Sequence, residues 1–151
     1  MKLSQSLNVD LSNIFVYYMH AQKYHWNVMD ENFWQYHLMY QKIYESAFEC
    51  VDVFGEMIRQ LDDKVEFDID YFTNYCTIES NPILENDSYM EMNYVLYKST
   101  LKIIEELLVS RQIAENNGEV GIIANIDNTI SIFEKNKFFL RSSIGNIEEN
   151  E

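Results

Sequence analysis

The sequence predicts an all-α protein, and three observations lead to that prediction. The chain of 151 residues contains one proline and four glycines, so it lacks the turn residues that a strand-rich fold requires. Its apolar residues, 47% of the chain, recur at helical spacing over long stretches. The length suits one domain with a normal core, and we expect residues 1–151 to form a single domain.

The first two predicted helices lie on either side of the break NVMDEN. Apolar residues recur at helical spacing up to about Trp26, which predicts a first helix over roughly residues 8–27. Asn32 or Asp30 can cap a second helix, whose apolar stripe continues without a proline to Leu61. The short break predicts that the two helices pack as an antiparallel pair.

A long crossover follows the second helix. The helical periodicity fails between Asp62 and Asp87, and the one proline of the chain, Pro82, lies in this segment. The run DIDYFTNY predicts a short helix near Tyr71.

Two further helices complete the predicted bundle. Asp87 or Ser88 can cap a third helix, which ends at ENNG, where Gly118 supplies a left-handed stop. A fourth helix is predicted over about residues 119–144, ending at Gly145, and the polar tail NIEENE is expected to fray. Two antiparallel pairs joined by one long crossover are the connectivity of a ferritin-like four-helix bundle.

The charge and the cysteines restrict the function classes. A formal net charge of −14 repels phosphate backbones and anionic lipid surfaces, so we expect neither direct DNA binding nor membrane binding. Cys50 and Cys76 follow no CxxC spacing, which indicates reduced thiols. No apolar run has the length of a signal or membrane segment, and we expect a cytoplasmic protein.

The stretch YHWNVMDENFWQYHLMYQ contains two of the three histidines, His25 and His37. Each is six residues from the centre of the break, so an antiparallel hairpin places them at similar heights, where they could approach one another. On the second helix, His37 and Gln41 share a face, as do Asp52 and Glu56, because each pair is four residues apart. Each pair could therefore bind one metal ion, although about 22 Å of helix separates His37 from Asp52.

A two-fold axis would overcome that separation. His37 and Glu56, like Gln41 and Asp52, are equally distant from the Ser46–Ala47 bond. An antiparallel crossing of this helix with its copy would bring each pair together and create two equivalent sites in a homodimer. Small side chains at the crossing would favour a close approach. Alternatively, the histidines are hydrogen-bonded packing residues, the acids form a solvated face, and Trp26 is a core residue at a helix end.

Several motifs resemble one known family. The sequence resembles the Dps proteins, the DNA-binding proteins from starved cells, in five segments: YHWNV, NFWQYH, VDVFGEMIRQL and, later, AENNGEVG and FEKNKFFLRSSI. The resemblance covers roughly residues 7–62 and 95–144, and it does not include the crossover. It implies a dodecameric mini-ferritin of oxidative-stress defence, which oxidises Fe(II) with peroxide or oxygen at a di-iron ferroxidase site between subunits and stores Fe(III) in its cage.

The resemblance also implies which residues bind iron. The metal-binding and catalytic residues would be two histidines of one subunit and two acids of its two-fold mate: His25, His37, Asp52 and Glu56. Trp26 would lie near the iron.

This chain departs from the family pattern in three ways. Gln41 replaces the aspartate expected four residues after the second histidine, and Glu45 is a possible substitute ligand. Glu119 is kept at the start of the last helix, but Gly121 and Ala124 replace the acids that usually follow it. DNA-binding members often carry a lysine-rich tail, whereas the start MKLSQSLNVD is short and has one lysine. The alternatives are a Dps-like cage with a weakened or inactive centre, which only binds metal or is structural, and a non-catalytic helical module that binds a partner.

Overall fold

The computed structural model describes residues 1–145, and every regular element within them is helical. The elements are α1 (Leu3–Asn27), α2 (Phe33–Gln60), α3 (Ile69–Tyr75), α4 (Tyr89–Asn116) and α5 (Val120–Ile144). α1 packs against α2 and α4, α5 packs against α4 and α2, and the short α3 lies against α1. The prediction of an all-α ferritin-like four-helix bundle, with a short helix in its long crossover, is confirmed.

Aromatic side chains fill the centre of the bundle. The rings of Tyr17 on α1 and Phe133 on α5 are 5.2 Å apart, and both side chains are fully buried. Buried tyrosines need a partner for the hydroxyl group. The Tyr17 hydroxyl lies 2.9 Å from the Thr100 hydroxyl, and that of Tyr40 donates to Asn93 at 2.6 Å. These bonds join three helices in the core.

The helix ends follow local sequence signals. Ser88 accepts a backbone N–H of the first turn of α4 at 3.4 Å, as its predicted capping role requires. Gly118 has φ = 70°, a left-handed conformation that glycine adopts without a steric penalty, and it lies in the turn between α4 and α5. Asn32 occupies the N-cap position of α2, but its side chain makes no capping hydrogen bond; its backbone N–H donates to the Asp30 carboxylate at 2.7 Å.

The predicted start of α1 is wrong, because the helix begins at Leu3 and not near residue 8. The first turns of α1 have no apolar periodicity, because they contain several polar residues. These polar residues are nevertheless buried: Ser4, Ser6, Asn8 and Asp10. Hydrogen bonds to distant segments permit this burial, since a buried polar group is costly only when it lacks a partner.

Side chains of α1 hold the crossover in place. We call four of them the α1 polar ladder: Ser4, Asn8, Asn13 and His20. Ser4 donates to the Asp63 carboxylate at 2.6 Å. The Asn8 side chain donates to the Lys64 carbonyl at 3.2 Å and accepts the Glu66 backbone N–H at 2.9 Å. The first part of the crossover is thus bonded to the N-terminal half of α1.

The last part of the crossover is bonded further along α1. Asn13 accepts the backbone N–H groups of Thr77 and Ile78 at 2.7 and 3.3 Å, and it donates to the Thr77 hydroxyl at 2.9 Å. His20 Nε2 lies 3.2 Å from the Ser80 carbonyl oxygen. These bonds provide partners for backbone groups of the crossover, which has no regular pattern of backbone hydrogen bonds here.

A buried polar cluster joins α1 to α4. Ser110 donates to the Asp10 carboxylate, and the Ser6 and Ser110 hydroxyls are 2.6 Å apart. Burial raises the pKa of Asp10 well above its ordinary value; the Ser110 bond opposes this effect and nearby Glu106 adds to it. The cluster fixes the register of the two helices, because a shift along either one would leave a buried carboxyl group without its partner.

No helix within residues 1–145 is long and apolar enough to cross a membrane. Cys50 and Cys76 are both free thiols, in agreement with the sequence-based expectation. The tail NIEENE, for which the sequence predicts fraying, lies outside the described residues.

Candidate metal centre

The turn between α1 and α2 is fixed from both sides. Val28 is buried, and its backbone N–H closes the last turn of α1. The Met29 N–H donates to the Asp87 carbonyl at 2.9 Å, which joins this turn to the end of the crossover. The rings of Tyr36 and Tyr89 stack at 4.4 Å beside it. These contacts set the position of the two helix ends that carry the histidines.

His25 and His37 face each other across this turn. Their rings are stacked, with centroids 3.7 Å apart and an interplanar angle of 14°. His25 is buried, with 7% of its surface exposed, and His37 is half-buried. The prediction that the two histidines approach one another is confirmed.

Each histidine is held by the backbone of the other. His25 Nδ1 lies 2.7 Å from the His37 carbonyl oxygen, and His37 Nδ1 lies 2.6 Å from the His25 carbonyl oxygen. A carbonyl oxygen can only accept, so each Nδ1 carries a proton. In the neutral rings each Nε2 therefore retains its lone pair. Metal-binding histidines are typically oriented in this way, with the other ring nitrogen bonded to a carbonyl or carboxylate.

Aromatic rings surround the pair. Tyr44 meets the His25 ring edge-on at 5.2 Å, and Phe33 stacks on the His37 ring at 4.8 Å. Trp34 lies 5.7 Å from the His37 ring, in an edge arrangement. The rings restrict rotation of both imidazoles and lower the local polarity.

The side chains of Gln41 and Glu45 are bonded to each other on α2. Gln41 Nε2 donates to Glu45 Oε1 at 2.9 Å. The amide oxygen of Gln41 and the second carboxylate oxygen of Glu45 are not used by this bond. The pair therefore presents one neutral oxygen about one turn beyond His37 and one charged oxygen about two turns beyond it.

Asp52 and Glu56 are exposed on the C-terminal half of α2. Helix geometry separates them from His37 by about 22 Å or more. Within residues 1–145 of one chain, no group of three or more His, Cys, Asp and Glu side chains is arranged to bind a metal ion. A single chain brings the two histidines together but does not bring the acids to them.

Comparison with known proteins identifies the family of this chain. Residues 4–150 match the family model of the ferritin-like domain, which is nearly the whole chain. The chain belongs to the ferritin-like family. The fold is also that of Dps from Thermosynechococcus elongatus, with a TM-score of 0.90, 20% identity and coverage of 98% of this chain and 93% of that one. The predicted resemblance to the Dps proteins is confirmed.

Two other proteins are also similar to this ferritin-like chain. A Dps protein from Vibrio cholerae O1, described as a member of the ferritin-like diiron-carboxylate superfamily, has a TM-score of 0.88 and 21% identity, covering 95% of this chain and 89% of that one. The "DNA protection during starvation protein" of Halobacterium salinarum is 38% identical over 56 residues, which is 37% of this chain. The chain matches about a third, 31%, of the length of that curated relative.

Two expectations about individual residues of the ferritin-like chain are wrong. Trp26 is not a core residue, because 65% of its surface is exposed. Ala47 does not face outward at the expected helix crossing; it is fully buried in the core of its own chain. Ser46 bonds to Asn136 of α5 at 3.2 Å, so it too is directed toward the bundle.

The sequence interpretation missed Trp34 and Tyr44 as neighbours of the histidines. Trp34 is three residues before His37, and Tyr44 is seven residues after it, so both spacings place them near that face of α2. Neither spacing shows that Tyr44 contacts His25, because that contact depends on how α1 packs against α2.

Proposed function

We propose that this protein is a Dps-like mini-ferritin that oxidises Fe(II) with peroxide or oxygen and stores Fe(III) in a cage. Iron is the substrate. Its site would combine two histidines of one subunit with two acids of a two-fold mate: His25, His37, Asp52 and Glu56. The observation that carries the proposal is the reciprocal bonding of the two imidazoles, which leaves both Nε2 lone pairs free for a metal.

The exposed face of α2 supports the proposal that a partner chain packs against this helix. Trp34, Leu38 and Phe48 are 70%, 54% and 56% exposed on this helix. At 3.6 residues per turn they share an arc of about 100° with the predicted polar ligands and with Glu45. Large apolar side chains interleaved with acids on one exposed face are typical of an interface. Glu45 and Phe48, instead of Ser46 and Ala47, would lie at the helix crossing.

The proposed ligand set suits iron chemistry. Imidazole and carboxylate are both ligands of Fe(II), and carboxylates stabilise the higher charge of Fe(III). With peroxide, each of two ferrous ions gives one electron, and peroxide takes up both electrons with two protons to leave as two water molecules. The rings of Phe33 and Tyr44 limit the solvent that reaches the imidazoles.

A second candidate function is a cage with a weakened or inactive centre. Gln41 favours this candidate, because an amide oxygen is a weaker ligand for a hard cation than a carboxylate. Its bond to Glu45 holds a carboxylate on the same face, and Glu45 could supply the missing charge. The non-catalytic partner-binding module remains as a third hypothesis.

The proposed assembly is a homo-oligomer of twelve subunits in the cytoplasm. We propose no direct DNA binding, since each chain has a formal charge of −14 and a cage would concentrate that charge. Light scattering after size exclusion tests the assembly, and a monomer would contradict it. A gel shift without magnesium tests the charge argument; retardation of DNA at micromolar protein would contradict it.

The inter-subunit site can be tested by mixing two inactive variants. One variant carries His25→Ala and His37→Ala, and the other carries Asp52→Asn and Glu56→Gln. Co-assembled from denatured chains, half of the two-fold pairs are mixed, and each mixed pair has one intact site, so about a quarter of the wild-type oxidation rate should return. Stopped-flow absorbance after anaerobic Fe(II) loading measures the rate.

Separate assembly of each variant is the control. Both variants alone should oxidise iron no faster than free Fe(II) in buffer. If co-assembled cages recover no activity while wild type refolded in the same way does, the site is not shared between subunits. If either variant alone is as fast as wild type, its residues are not ligands.

A further inference from the structure

One buried carboxyl group lies between α1 and α4 and has no part in the proposed iron site. Asp10 is 2% exposed, and within residues 1–145 its side chain forms one hydrogen bond, with Ser110 of α4. The Ser110 hydroxyl lies 2.6 Å from that of Ser6, one turn before Asp10 on α1. Both hydroxyl groups belong to buried residues. Asp10 is thus the end of a chain of two buried hydroxyl groups that joins the two helices.

No positive charge on α4 compensates Asp10. Within the described residues, Asp10 forms no ion pair. Lys102 and Arg111 are the cations of α4 nearest in sequence to Ser110, and they are paired with other acids: Glu105, Glu106, Glu115 and Asp127. The charged group that acts on Asp10 is Glu106, and its charge is negative.

The other elements around α1 supply no buried cation either. Lys64 of the crossover is exposed, and Lys2 at the start of α1 is paired with Asp63. α5 meets α1 at Phe133, and the next residues of α5, Glu134 and Lys135, are exposed. Every charged residue of α2 and α3 is exposed as well: Lys42, Glu45, Glu49, Asp52, Glu56, Arg59 and Asp70.

The two hydroxyl groups can bond to either protonation state of Asp10. When the carboxyl group is neutral, its O–H donates to Ser110, and Ser110 donates to Ser6. When the carboxyl group is ionised, Ser6 donates to Ser110, and Ser110 donates to the carboxylate. The ionised form is then a buried charge with one donor and no cation, which is costly. Burial therefore raises the pKa of Asp10, the Ser110 bond opposes the shift, and Glu106 adds to it.

We propose that Asp10 is a pH-sensitive contact, which holds the first turns of α1 against α4 while it is protonated and releases them when it ionises. Opening of residues 3–10 places the carboxylate in water. It also breaks the bonds from Ser4 and Asn8 to the start of the crossover. This contact is independent of the iron chemistry.

The direction of the pH dependence follows from the proton that is released. The closed form binds the Asp10 proton more tightly than the open form, so opening releases a proton. The stability that Asp10 contributes is therefore complete below the ordinary carboxyl pKa of about 3.9, and it is lost as the pH rises toward the raised pKa of the closed form. Within that range the opening constant increases up to about tenfold for each pH unit.

Hydrogen exchange followed by mass spectrometry tests the proposal on the full-length protein. Between about pH 5 and about pH 8, the protection of residues 3–10 should fall at least about tenfold after correction for intrinsic rates. Residues 122–140 of α5 are the internal reference and should change less than about twofold. Asp10→Asn cannot ionise, and its side-chain amide still donates to Ser110, so its residues 3–10 should also change less than about twofold.

Two matched variants of α4 test the contact without altering Asp10. Glu106→Gln removes the negative charge that acts on Asp10, so residues 3–10 should be about twofold or more better protected than in wild type at about pH 8. Glu105→Gln removes an exposed acid that also pairs with Lys102, and it should leave this protection unchanged.

Three results would overturn the proposal. The first is equal protection of residues 3–10 in wild type at the two pH values. The second is the same pH dependence in wild type and Asp10→Asn, and the third is the same effect of Glu105→Gln and Glu106→Gln. Circular dichroism shows whether each variant is folded, and if Asp10→Asn is not, the wild type and the two glutamate variants decide.

Discussion

Two parts of α1 use histidine for opposite purposes. His20 donates from Nε2 to the Ser80 carbonyl, and its Nδ1 is buried without a hydrogen-bond partner among the described residues. His25, five residues later, donates from Nδ1 to the His37 carbonyl and keeps its Nε2 free. Both side chains are 7% exposed, so burial alone does not distinguish them.

The ring nitrogen that binds the carbonyl determines what each histidine can do. A lone pair on Nδ1 lies close to the backbone of its own residue, whereas a lone pair on Nε2 is at the tip of the side chain and can reach a ligand. His20 thus holds the crossover, while His25 and His37 each keep a lone pair at the tip of the side chain, as the proposed metal site requires. The difference predicts that mutations of these residues will affect different properties.

The largest expected effect is on the iron-oxidation rate. It tests whether His37 and His20 have different roles. His37→Ala should lower the oxidation rate by at least about 100-fold, because loss even of a group that only orients a metal ligand typically costs 10–100-fold. His20→Gln should leave the rate within about twofold, because Gln can still donate to Ser80. Stopped-flow absorbance after anaerobic Fe(II) loading measures both.

Anaerobic calorimetry with Fe(II) separates binding from catalysis in the same variants. His37→Ala should lose ferrous binding, and His20→Gln should retain it. A His37→Ala protein that oxidises iron as fast as wild type would show that the histidine pair is a packing feature.

A smaller effect is expected at Gln41. Gln41→Asp should strengthen ferrous binding and speed oxidation several-fold, since it restores a charged oxygen one turn beyond His37. It should also lower the melting temperature slightly, because the new carboxylate would face Glu45 in place of the present hydrogen bond, and like charges four residues apart cost about 0.2–0.5 kcal/mol. Stopped-flow kinetics and thermal unfolding measure the two effects.

Glu45→Gln refines this test. If Glu45 supplies the missing charge, Glu45→Gln should slow the natural protein but should have little effect in the Gln41→Asp background. Activity only in Gln41→Asp would show that the natural chain is a cage with a disabled centre.

The smallest expected effect is a pH dependence at His20. Burial lowers the pKa of His20, and nearby Lys23 acts in the same direction, whereas the bond to Ser80 and the charge of Glu79 oppose the shift. The unfolded state therefore binds more protons, so the stability contributed by neutral His20 is present above the ordinary pKa of about 6.5 and is lost as the pH falls below it. Amide hydrogen exchange of residues 77–81 should become faster at about pH 5.5 than at about pH 7.5, after correction for intrinsic rates.

His20→Gln is the control for this prediction, since its amide does not titrate. The variant should show the same protection of residues 77–81 at both pH values. An equal pH dependence in wild type and His20→Gln would indicate that a group other than His20 is responsible.

The sequence was sufficient to predict the fold class and most helix ends because those depend on local signals. Ser88, Gly118 and the proline-containing crossover each mark a boundary within a few residues of where it occurs. The start of α1 could not be predicted in this way. Ser4 and Ser6 have buried side chains whose partners are 59 and 104 residues away, so only the folded chain shows why this polar segment packs in the bundle.

The candidate site was predictable only where it depends on spacing along the sequence. The symmetric spacing about the turn correctly predicted that His25 and His37 meet. Their tautomers depend on the helix packing that brings each ring to the opposite carbonyl, and no spacing encodes that geometry. The direction of Ala47 was mispredicted because small residues suit a close contact in the core as well as one at an interface. The positions of Asp52 and Glu56 relative to a partner stay a prediction.

The α1 polar ladder has a consequence for proteolysis. Ile83 is 91% exposed beside Pro82, and it is the most accessible large apolar residue of the crossover. A protease that cut there would leave the preceding crossover residues bonded to α1 by Ser4, Asn8, Asn13 and His20. The following fragment would remain attached through helix packing and through the bond between Met29 and Asp87. A nicked chain should therefore stay assembled as two complementary fragments.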